Sequence, residues 1–103
     1  MTAEDLLAAL SSKTAPLFLI DVRQPDEYTG ELGHIDGAKL IPLGTLPQSI
    51  SSISQDQTIV FVCRSGGRSA KASAFALESG LSAVYNLRGG MLRWNQLGFE
   101  TKK

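Results

Sequence analysis

The chain has 103 residues, of which 43% are hydrophobic, and its ten basic residues balance ten acidic ones. This length predicts one small domain over residues 1–103, with enough apolar residues for an ordinary globular core. The zero net charge gives no global attraction to nucleic acid or to anionic lipid. The single cysteine excludes an internal disulfide, and no apolar run approaches the roughly 18 residues of a membrane span.

The chain begins with MTAEDLLAAL, which is acidic and lacks the basic region of a signal peptide. We therefore predict a soluble, cytoplasmic domain that binds neither nucleic acid nor membrane. The first helix is predicted over AEDLLAAL, with Thr2 as its N-cap and Asp5 as the weaker partner of that cap. The apolar face of this helix is predicted to consist of Leu6, Leu7 and Leu10.

The next elements are a strand, a short helix and a loop. The continuous apolar run LFLIDV, residues 17–22, is typical of a strand that is covered on both faces. Pro25 suits the first turn of a short helix in QPDEY. Glycines divide the segment around GHIDGAKLIP, which is predicted to be a loop. Helical period then returns in the apolar residues Leu43, Leu46, Ile50 and Ile53.

The second half of the chain repeats the alternation of strand and helix. TIVFV, residues 58–62, is a second buried strand, and the helix SAKASAFALES follows it, with Gly80 as its predicted C′ residue. AVYNL is a third strand, and MLRWNQLG is the last helix. Apolar strands alternating with helices indicate an α/β fold, with a parallel sheet flanked on both faces by helices. Ligand sites in such sheets lie beyond the carboxyl ends of the strands, where the sequence places Cys63.

The loop after Cys63 has the sequence RSGGRS. Gly66 and Gly67 let the backbone curl, so that successive N–H groups from Arg64 to Ser69 point inward as an anion-binding nest. The following helix turns its positive end toward the same space, and Arg64 and Arg68 add two charges. A thiol at the centre is therefore predicted to ionise readily and to act as a nucleophile on an anionic substrate.

Two kinds of anion-binding loop place a cysteine ahead of an arginine in this way, and they differ in the number of residues between the two. Protein tyrosine phosphatases and low-molecular-weight arsenate reductases have five residues between the two. Here only four residues, 64–67, separate Cys63 from Arg68. The shorter ring of amides encloses less volume and favours a terminal sulfur on the cysteine over a phosphoryl group. Arsenate reductases and disulfide oxidoreductases also usually need a second thiol, which this chain lacks.

Four motifs carry a resemblance to a known family: LIDVRQPDEY, GHIDGAKLIPL, VFVCRSGGRSAKA and NLRGGMLRWNQLG, in this order over almost the whole chain. With them the sequence resembles a single-domain rhodanese, a sulfurtransferase that carries sulfur as a cysteine persulfide. The resemblance implies a rhodanese-like fold. It also implies transfer of sulfane sulfur from a donor such as thiosulfate to a thiophilic acceptor, which is cyanide, a thiol or a protein.

The resemblance also implies roles for individual residues. Cys63 is expected to carry the persulfide, and Arg68 to help hold the anionic part of the donor. The loop expected to bind the substrate consists of Arg64, Ser65, Gly66, Gly67, Arg68 and Ser69. Asp21 and Arg23 match family positions close behind this loop, where a supporting network is expected. The expected partners are a small anionic sulfur donor and a protein sulfur donor or acceptor.

Other residues favour structural roles. Asp21, Arg23 and Glu27 are expected to form an ion pair or a brace of the loop, and direct catalysis by them is not expected. His34 has no other histidine or cysteine near it in sequence, so packing is the preferred interpretation. Met91, Trp94 and Phe75 are interpreted as core residues. No metal-ligand set, dinucleotide fingerprint or Walker loop is found in the sequence, so no cofactor is predicted.

Alternative functions stay open. A persulfide relay to a protein partner uses the same chemistry, whereas non-catalytic rhodanese-like interaction modules typically lack the cysteine. A phosphatase or arsenate reductase is disfavoured by the four-residue spacing. The sequence also departs from the family in two places. YTGELGHI is longer than the commonest spacing, which is expected to affect a surface loop rather than the site, and the chain starts at its first helix, as a trimmed or excised domain would.

Overall fold

A computed structural model of the chain describes residues 1–12 and 16–103. Within these residues, four parallel strands form one sheet in the order β2-β1-β3-β4. The strands are β1 (Leu17–Asp21), β2 (Lys39–Leu40), β3 (Thr58–Val62) and β4 (Val84–Asn86). The α-helices are α1 (Ala3–Ser12), α2 (Pro25–Tyr28), α3 (Leu46–Ser49), α4 (Gly67–Glu78) and α5 (Gly90–Gln96).

Helices cover both faces of the sheet. Side chains alternate in direction along each strand, so each strand contributes residues to both covered faces. On one face, Ile59 and Phe61 of β3 belong to a buried cluster that includes Leu46 of α3 and Ala72 of α4. On the other face, the neighbouring β3 residues belong to a second buried cluster, with residues of α1 and α5: Val60, Val62, Leu6, Met91 and Trp94. This arrangement confirms the predicted α/β fold with a covered parallel sheet.

The strand register brings three strand ends to one edge of the sheet. β1 pairs with β3 over five positions, the last of which joins Asp21 to Val62. β4 pairs with the other side of β3, and Asn86 lies opposite Phe61. Since parallel strands share one direction, Asp21, Cys63 and Asn86 all reach the carboxyl edge, where α/β proteins place ligands.

The ends of two helices follow the predicted capping chemistry. The Thr2 hydroxyl accepts a hydrogen bond from the Asp5 amide at 3.0 Å, and the Asp5 carboxylate accepts one from the Thr2 amide at 3.3 Å. At the end of α4, Gly80 has a φ of +102°. The amide of Leu81 donates to the Ala76 carbonyl at 3.1 Å, and that of Gly80 to Leu77 at 3.2 Å, which completes a Schellman motif.

Three details differ from the sequence predictions. Leu7 is 36% exposed, so it does not belong to the buried face of α1, while Leu6 is fully buried. The two residues of β2 lie in the segment that was predicted to be a loop. The helical period of residues 43–53 forms the short helix α3 between two 3₁₀ turns, Leu43–Thr45 and Ile50–Ser52, rather than one continuous helix.

None of the helices in residues 1–12 and 16–103 is long and apolar enough to cross a membrane.

Candidate active site

Cys63 lies directly after β3, at the carboxyl edge of the sheet, and is only 1% exposed. Its Sγ atom accepts a hydrogen bond from the Gly66 amide, at 3.0 Å. The Ser69 hydroxyl lies 3.3 Å from the same sulfur. The thiol is thus enclosed by its own loop and by the first turn of α4, as the sequence predicted for a residue at this position.

The N-terminus of α5 holds the loop backbone from behind. Its Met91 and Leu92 amides donate to the carbonyl oxygens of Cys63 and Arg64, at 2.9 and 3.0 Å. In a trans peptide the C=O and N–H groups point in opposite directions. These two bonds therefore turn the N–H groups of Arg64 and Ser65 away from α5. The nest is oriented by a second helix as well as by the loop glycines.

Gly90 allows this close approach between α5 and the loop. It has a φ of +56°, which favours glycine. A Cβ atom at this position would lie 2.4 Å from the carbonyl oxygen of Cys63 and 2.6 Å from that of Arg64. Gly66 meets a similar requirement inside the loop, because its φ of +115° lets the chain turn sharply into α4.

The ionisation of Cys63 reflects two opposing effects. Burial raises the pKa of the thiol, because it disfavours the anion. Hydrogen bonds from the Ser69 hydroxyl and from the amides of Ser69, Gly66 and Ser65 favour the anion, and they bring the pKa below its usual value. The lowering therefore comes chiefly from loop donors, whereas the sequence-based prediction also counted the charges of Arg64 and Arg68.

Arg68 lies in the first turn of α4 and is bound by a carboxylate from α2. Its Nη1 and Nη2 atoms donate to Oε1 and Oε2 of Glu27, at 2.6 and 2.8 Å. This fork-like bond lowers the pKa of Glu27 to about 2 and raises that of Arg68. Sequence reasoning expected Glu27 to brace the loop region, and its partner there is Arg68.

Asp21 and Arg23 form a buried brace below the same edge. Arg23 Nη2 lies 2.7 Å from Asp21 Oδ2, and both side chains are almost fully buried. The same Nη2 donates to the Gly33 carbonyl at 2.7 Å, and Nη1 donates to the Glu27 carbonyl at 3.2 Å. The expected ion pair is confirmed, and its bonds tie the end of β1 to α2 and to the following loop.

Arg64 lines an open cavity of about 260 Å³. The walls of this cavity are formed by Arg23, Glu27, Glu31, Leu32 and Arg64. Glu31 and Leu32 belong to the YTGELGHI segment, so this segment lines the same cavity as Arg64. The expectation that its length affects a surface loop rather than the site stays a prediction.

Asn86 is a site residue that the sequence reasoning did not single out. It ends β4, and its Oδ1 atom accepts a short hydrogen bond from the Ser69 hydroxyl. Its Nδ2 atom donates to the Gly66 carbonyl at 3.3 Å. The available signal was its position: a polar residue that ends a strand lies at the same edge as Cys63.

The residues interpreted as structural make packing and stacking contacts. The His34 ring stacks on Tyr28, with centroids 3.7 Å apart, and its Nδ1 is 2.9 Å from the Tyr28 carbonyl. Met91 and Trp94 are buried in the core, and Phe75 packs against it. Across residues 1–12 and 16–103, no group of three or more His, Cys, Asp or Glu side chains is arranged to hold a metal ion.

Comparison with known proteins identifies the family. The model of the rhodanese-like domain matches residues 2–97. A sulfurtransferase from Allochromatium vinosum is 38% identical over 85 residues, which cover 82% of this chain and 78% of that protein. The thiosulfate sulfurtransferase GlpE from Pseudomonas paraeruginosa is 34% identical over 79 residues, covering 77% and 70%.

The chain spans only part of some relatives. YqhL from Bacillus subtilis is 41% identical over 76 residues, or 74% of this chain and 59% of that protein. A rhodanese-like domain protein from Staphylococcus aureus has a crystal structure similar to this fold, with a TM-score of 0.85 and 33% identity. That match covers 100% of this chain and 97% of the other. The chain belongs to the rhodanese-like family, which includes sulfurtransferases.

Proposed function

We propose that the protein is a sulfurtransferase in which Cys63 carries sulfane sulfur as a persulfide. The observation that carries the proposal is the position of the thiol: Sγ is enclosed by loop donors that lower its pKa. A thiolate held in this way is a nucleophile, and the same donors suit a negative charge on a second sulfur atom. Family membership and the sulfurtransferases among the relatives support the same chemistry.

The first half-reaction loads the cysteine. The Cys63 thiolate attacks the outer sulfur of a donor such as thiosulfate. A new S–S bond forms as the S–S bond of the donor breaks, and sulfite leaves with the bonding electron pair. The negative charge of the thiolate then resides on the outer sulfur of the persulfide. Amides that point into the loop stabilise this charge, which is how preorganised donors lower a barrier.

The second half-reaction returns the enzyme to its starting state. A thiophilic acceptor attacks the outer sulfur, and the electron pair of the broken S–S bond goes back to Cys63. With cyanide the product is thiocyanate, and with a thiol it is a new persulfide. No second cysteine is needed, which agrees with a chain that contains one.

Arg64, Arg68 and the loop glycines are assigned to donor binding. Arg64 lines the open cavity beside the loop, and its positive charge supports a role in meeting an incoming anion. Arg68 is 34% exposed and contributes a positive charge at the start of α4 while Glu27 holds its guanidinium. Asp21 and Arg23 are assigned a supporting role, because their buried pair fixes the end of β1 beside the loop.

The donor is proposed to be thiosulfate or another small anionic sulfane-sulfur compound. The relative named as a thiosulfate sulfurtransferase supports this choice. A protein donor or acceptor is the alternative, in which case the chain relays persulfide sulfur. The chain is further proposed to act as a single rhodanese-like domain in the cytoplasm, with no cofactor.

Steady-state turnover tests the proposal. Protein incubated with thiosulfate and cyanide is expected to release thiocyanate catalytically, and the Cys63→Ser variant is expected to release none. An aryl phosphate serves as the competing substrate for the phosphatase alternative. Hydrolysis of the phosphate without thiocyanate formation would overturn the proposal. Failure with thiosulfate, mercaptopyruvate and a persulfidated desulfurase alike would favour a non-catalytic interaction module.

A further inference from the structure

The Ser69 hydroxyl lies between three groups that can accept a hydrogen bond from it. Its Oγ atom is 3.3 Å from Cys63 Sγ and 3.2 Å from the Gly66 carbonyl oxygen, and it is in short contact with Asn86 Oδ1. A serine hydroxyl has a single proton to donate, although it accepts through its lone pairs. Ser69 therefore satisfies one acceptor at a time, and the group that receives its proton depends on the other two.

Asn86 is held in one orientation by the loop itself. Its Nδ2 atom donates to the Gly66 carbonyl oxygen at 3.3 Å, and that oxygen has no proton to give in return. Turning the carboxamide over would place two acceptor oxygens against each other. The Oδ1 atom of Asn86 consequently faces Ser69 and acts as an acceptor for its hydroxyl.

Gly66 competes weakly for the same proton. Its carbonyl oxygen already receives the Ala70 amide at 3.0 Å as well as Asn86 Nδ2. Asn86 Oδ1 is therefore the better-placed oxygen for the Ser69 proton. When Ser69 donates to Asn86, its lone pairs are left to accept the S–H proton of Cys63. The protonated thiol thus fits a chain of hydrogen bonds that runs from sulfur through Ser69 to Asn86.

Ionisation of Cys63 disturbs this chain. Once the thiol proton has left for solvent, Sγ no longer donates to Ser69, and the Ser69 hydroxyl can stabilise the thiolate only by turning its own proton away from Asn86. We propose that Asn86 is a positioning residue that competes with Cys63 for the proton of the Ser69 hydroxyl. Asn86 thereby favours the protonated thiol and moderates the acidity that the loop amides give to Cys63.

The charged groups around the thiol are outside this chain. Arg68 on α4 is paired with Glu27 on α2, and Asp21 is paired with Arg23 behind the loop. Substitutions at Asn86 and Ser69 leave both pairs in place, so a change in the ionisation of Cys63 does not come from these four charged groups. The inference rests on the proposed role of Cys63, but ionisation is measured without sulfur transfer, so the two fail in different assays.

The test compares Asn86→Leu with wild type by the pH dependence of iodoacetamide alkylation. Leucine is similar in size and neither donates nor accepts a hydrogen bond. The alkylation midpoint is expected to fall by about half a unit to one unit, the equivalent of one hydrogen bond. An unchanged or raised midpoint would overturn the inference, with the far-UV circular dichroism of the variant as the control for folding.

Ser69→Ala supplies the background that separates positioning from a general structural effect. This variant removes the hydroxyl and is expected to raise the midpoint. Asn86→Leu is expected to have no further effect in that background, because Asn86 acts through Ser69. An equal lowering in both backgrounds would show that Asn86 acts by another route and would refute the inference.

A second measurement needs no substitution at Asn86. The side-chain amide resonances of Asn86 in the wild-type protein are expected to shift with the same pH midpoint as the alkylation of Cys63. In Cys63→Ser they are expected to show no such transition. Amide resonances that stay constant while the wild-type thiol ionises would contradict competition for the hydroxyl proton.

Discussion

Burial opposes the ionisation of Cys63, since the thiol is only 1% exposed. The loop reverses this effect with hydrogen bonds that need no charged side chain: the Ser69 hydroxyl and the backbone amides of Ser69, Gly66 and Ser65. A neutral carbonyl or hydroxyl oxygen in the place of the sulfur would be stabilised less by these donors. The reason is that hydrogen-bond donors favour the charged form of the sulfur. At the scale of single residues, the ionisation of the thiol therefore depends on the hydrogen-bond donors of its own loop.

The first prediction concerns this ionisation. Alkylation of Cys63 by iodoacetamide is expected to have a pH midpoint below about 8.5, the value of a free cysteine. The same protein unfolded in urea is the matched control and is expected to have the free-thiol midpoint, because the loop donors are lost. A folded midpoint at or above the unfolded one would contradict the hydrogen-bond argument.

The second prediction separates the two loop arginines. Arg68→Ala is expected to raise the alkylation midpoint and to lower kcat/KM for thiosulfate by about tenfold, the loss of one charge-assisted contact. Arg64→Ala is expected to do less to the midpoint. Because Arg68→Ala also leaves Glu27 unpaired, the double variant with Glu27→Gln is the control for that new negative charge.

Negligible effects of both single substitutions would show that the backbone amides hold the anion without the side chains. A loss in Arg68→Ala that the added Glu27→Gln fully restores would assign the effect to the unpaired carboxylate. Steady-state kinetics with thiosulfate and cyanide distinguishes these results.

At the scale of elements, the site depends on the contact between α5 and the loop. The first amides of α5 donate to the carbonyls of Cys63 and Arg64, and this contact requires the backbone of Gly90 to lie against them. Neither the cysteine loop nor the terminal helix forms the nest alone. The orientation of the loop amides follows from both.

The third prediction tests this contact with two glycines: Gly90, which begins α5, and Gly98, which lies just beyond the C-terminal end of α5. Gly90→Ala is expected to lower sulfur transfer at least tenfold, because the added Cβ lies 2.4 Å from the Cys63 carbonyl and displaces the loop. Gly98→Ala is the matched control: its φ of +74° imposes similar backbone strain, but its Cβ meets nothing within 4 Å. Similar kinetics in the two variants would refute a specific role for the contact.

The fourth prediction concerns the size of the ring. One residue inserted between Ser65 and Gly66 gives the five-residue spacing of the phosphate-handling families. The insertion is expected to lower sulfur transfer, because the enlarged ring holds the outer sulfur less closely, and to allow weak binding of phosphate or arsenate. Kinetics and anion titration measure both effects. Unchanged sulfurtransferase kinetics in a folded insertion variant would contradict selection by size.

The sequence predicted long, periodic elements better than short ones. The apolar runs of β1 and β3 and the caps of α1 and α4 are recognisable because each depends on local residue types. β2 has two residues and forms only through pairing with β1, so nothing local predicts it. The ion pair between Glu27 and Arg68 joins residues 41 positions apart. Which arginine pairs with Glu27 could therefore not be predicted without the fold.

Asn86 shows the same limit within the candidate site. Its neighbours in sequence do not connect it with Cys63, and only its position at the end of β4 places it at the same edge of the sheet. The sheet order places β4 beside β3, and only then does the carboxamide reach Ser69 and Gly66. The loop after Cys63 was predictable because its residues are contiguous, whereas the residues that support it come from four other elements, β1, β4, α2 and α5.

At the scale of the whole molecule, the parallel sheet brings functional groups from separate parts of the chain to one edge. The net charge of the chain is zero. The ends of β1, β3 and β4 supply a buried ion pair, the Cys63 thiol and a carboxamide to one edge. The charge that we propose attracts an anion is local to this edge. The global balance is consistent with a small anionic donor rather than an extended polyanion.

Intact mass spectrometry tests the central claim most directly. After incubation with thiosulfate and desalting, the wild-type protein is expected to be heavier by one sulfur atom, and cyanide is expected to restore its starting mass. Cys63→Ser is expected to gain no sulfur while keeping its fold, because a serine hydroxyl cannot form a persulfide. A sulfur gain with cyanide-dependent release in a purified Cys63→Ser protein would contradict the assignment of Cys63 as the sulfur carrier.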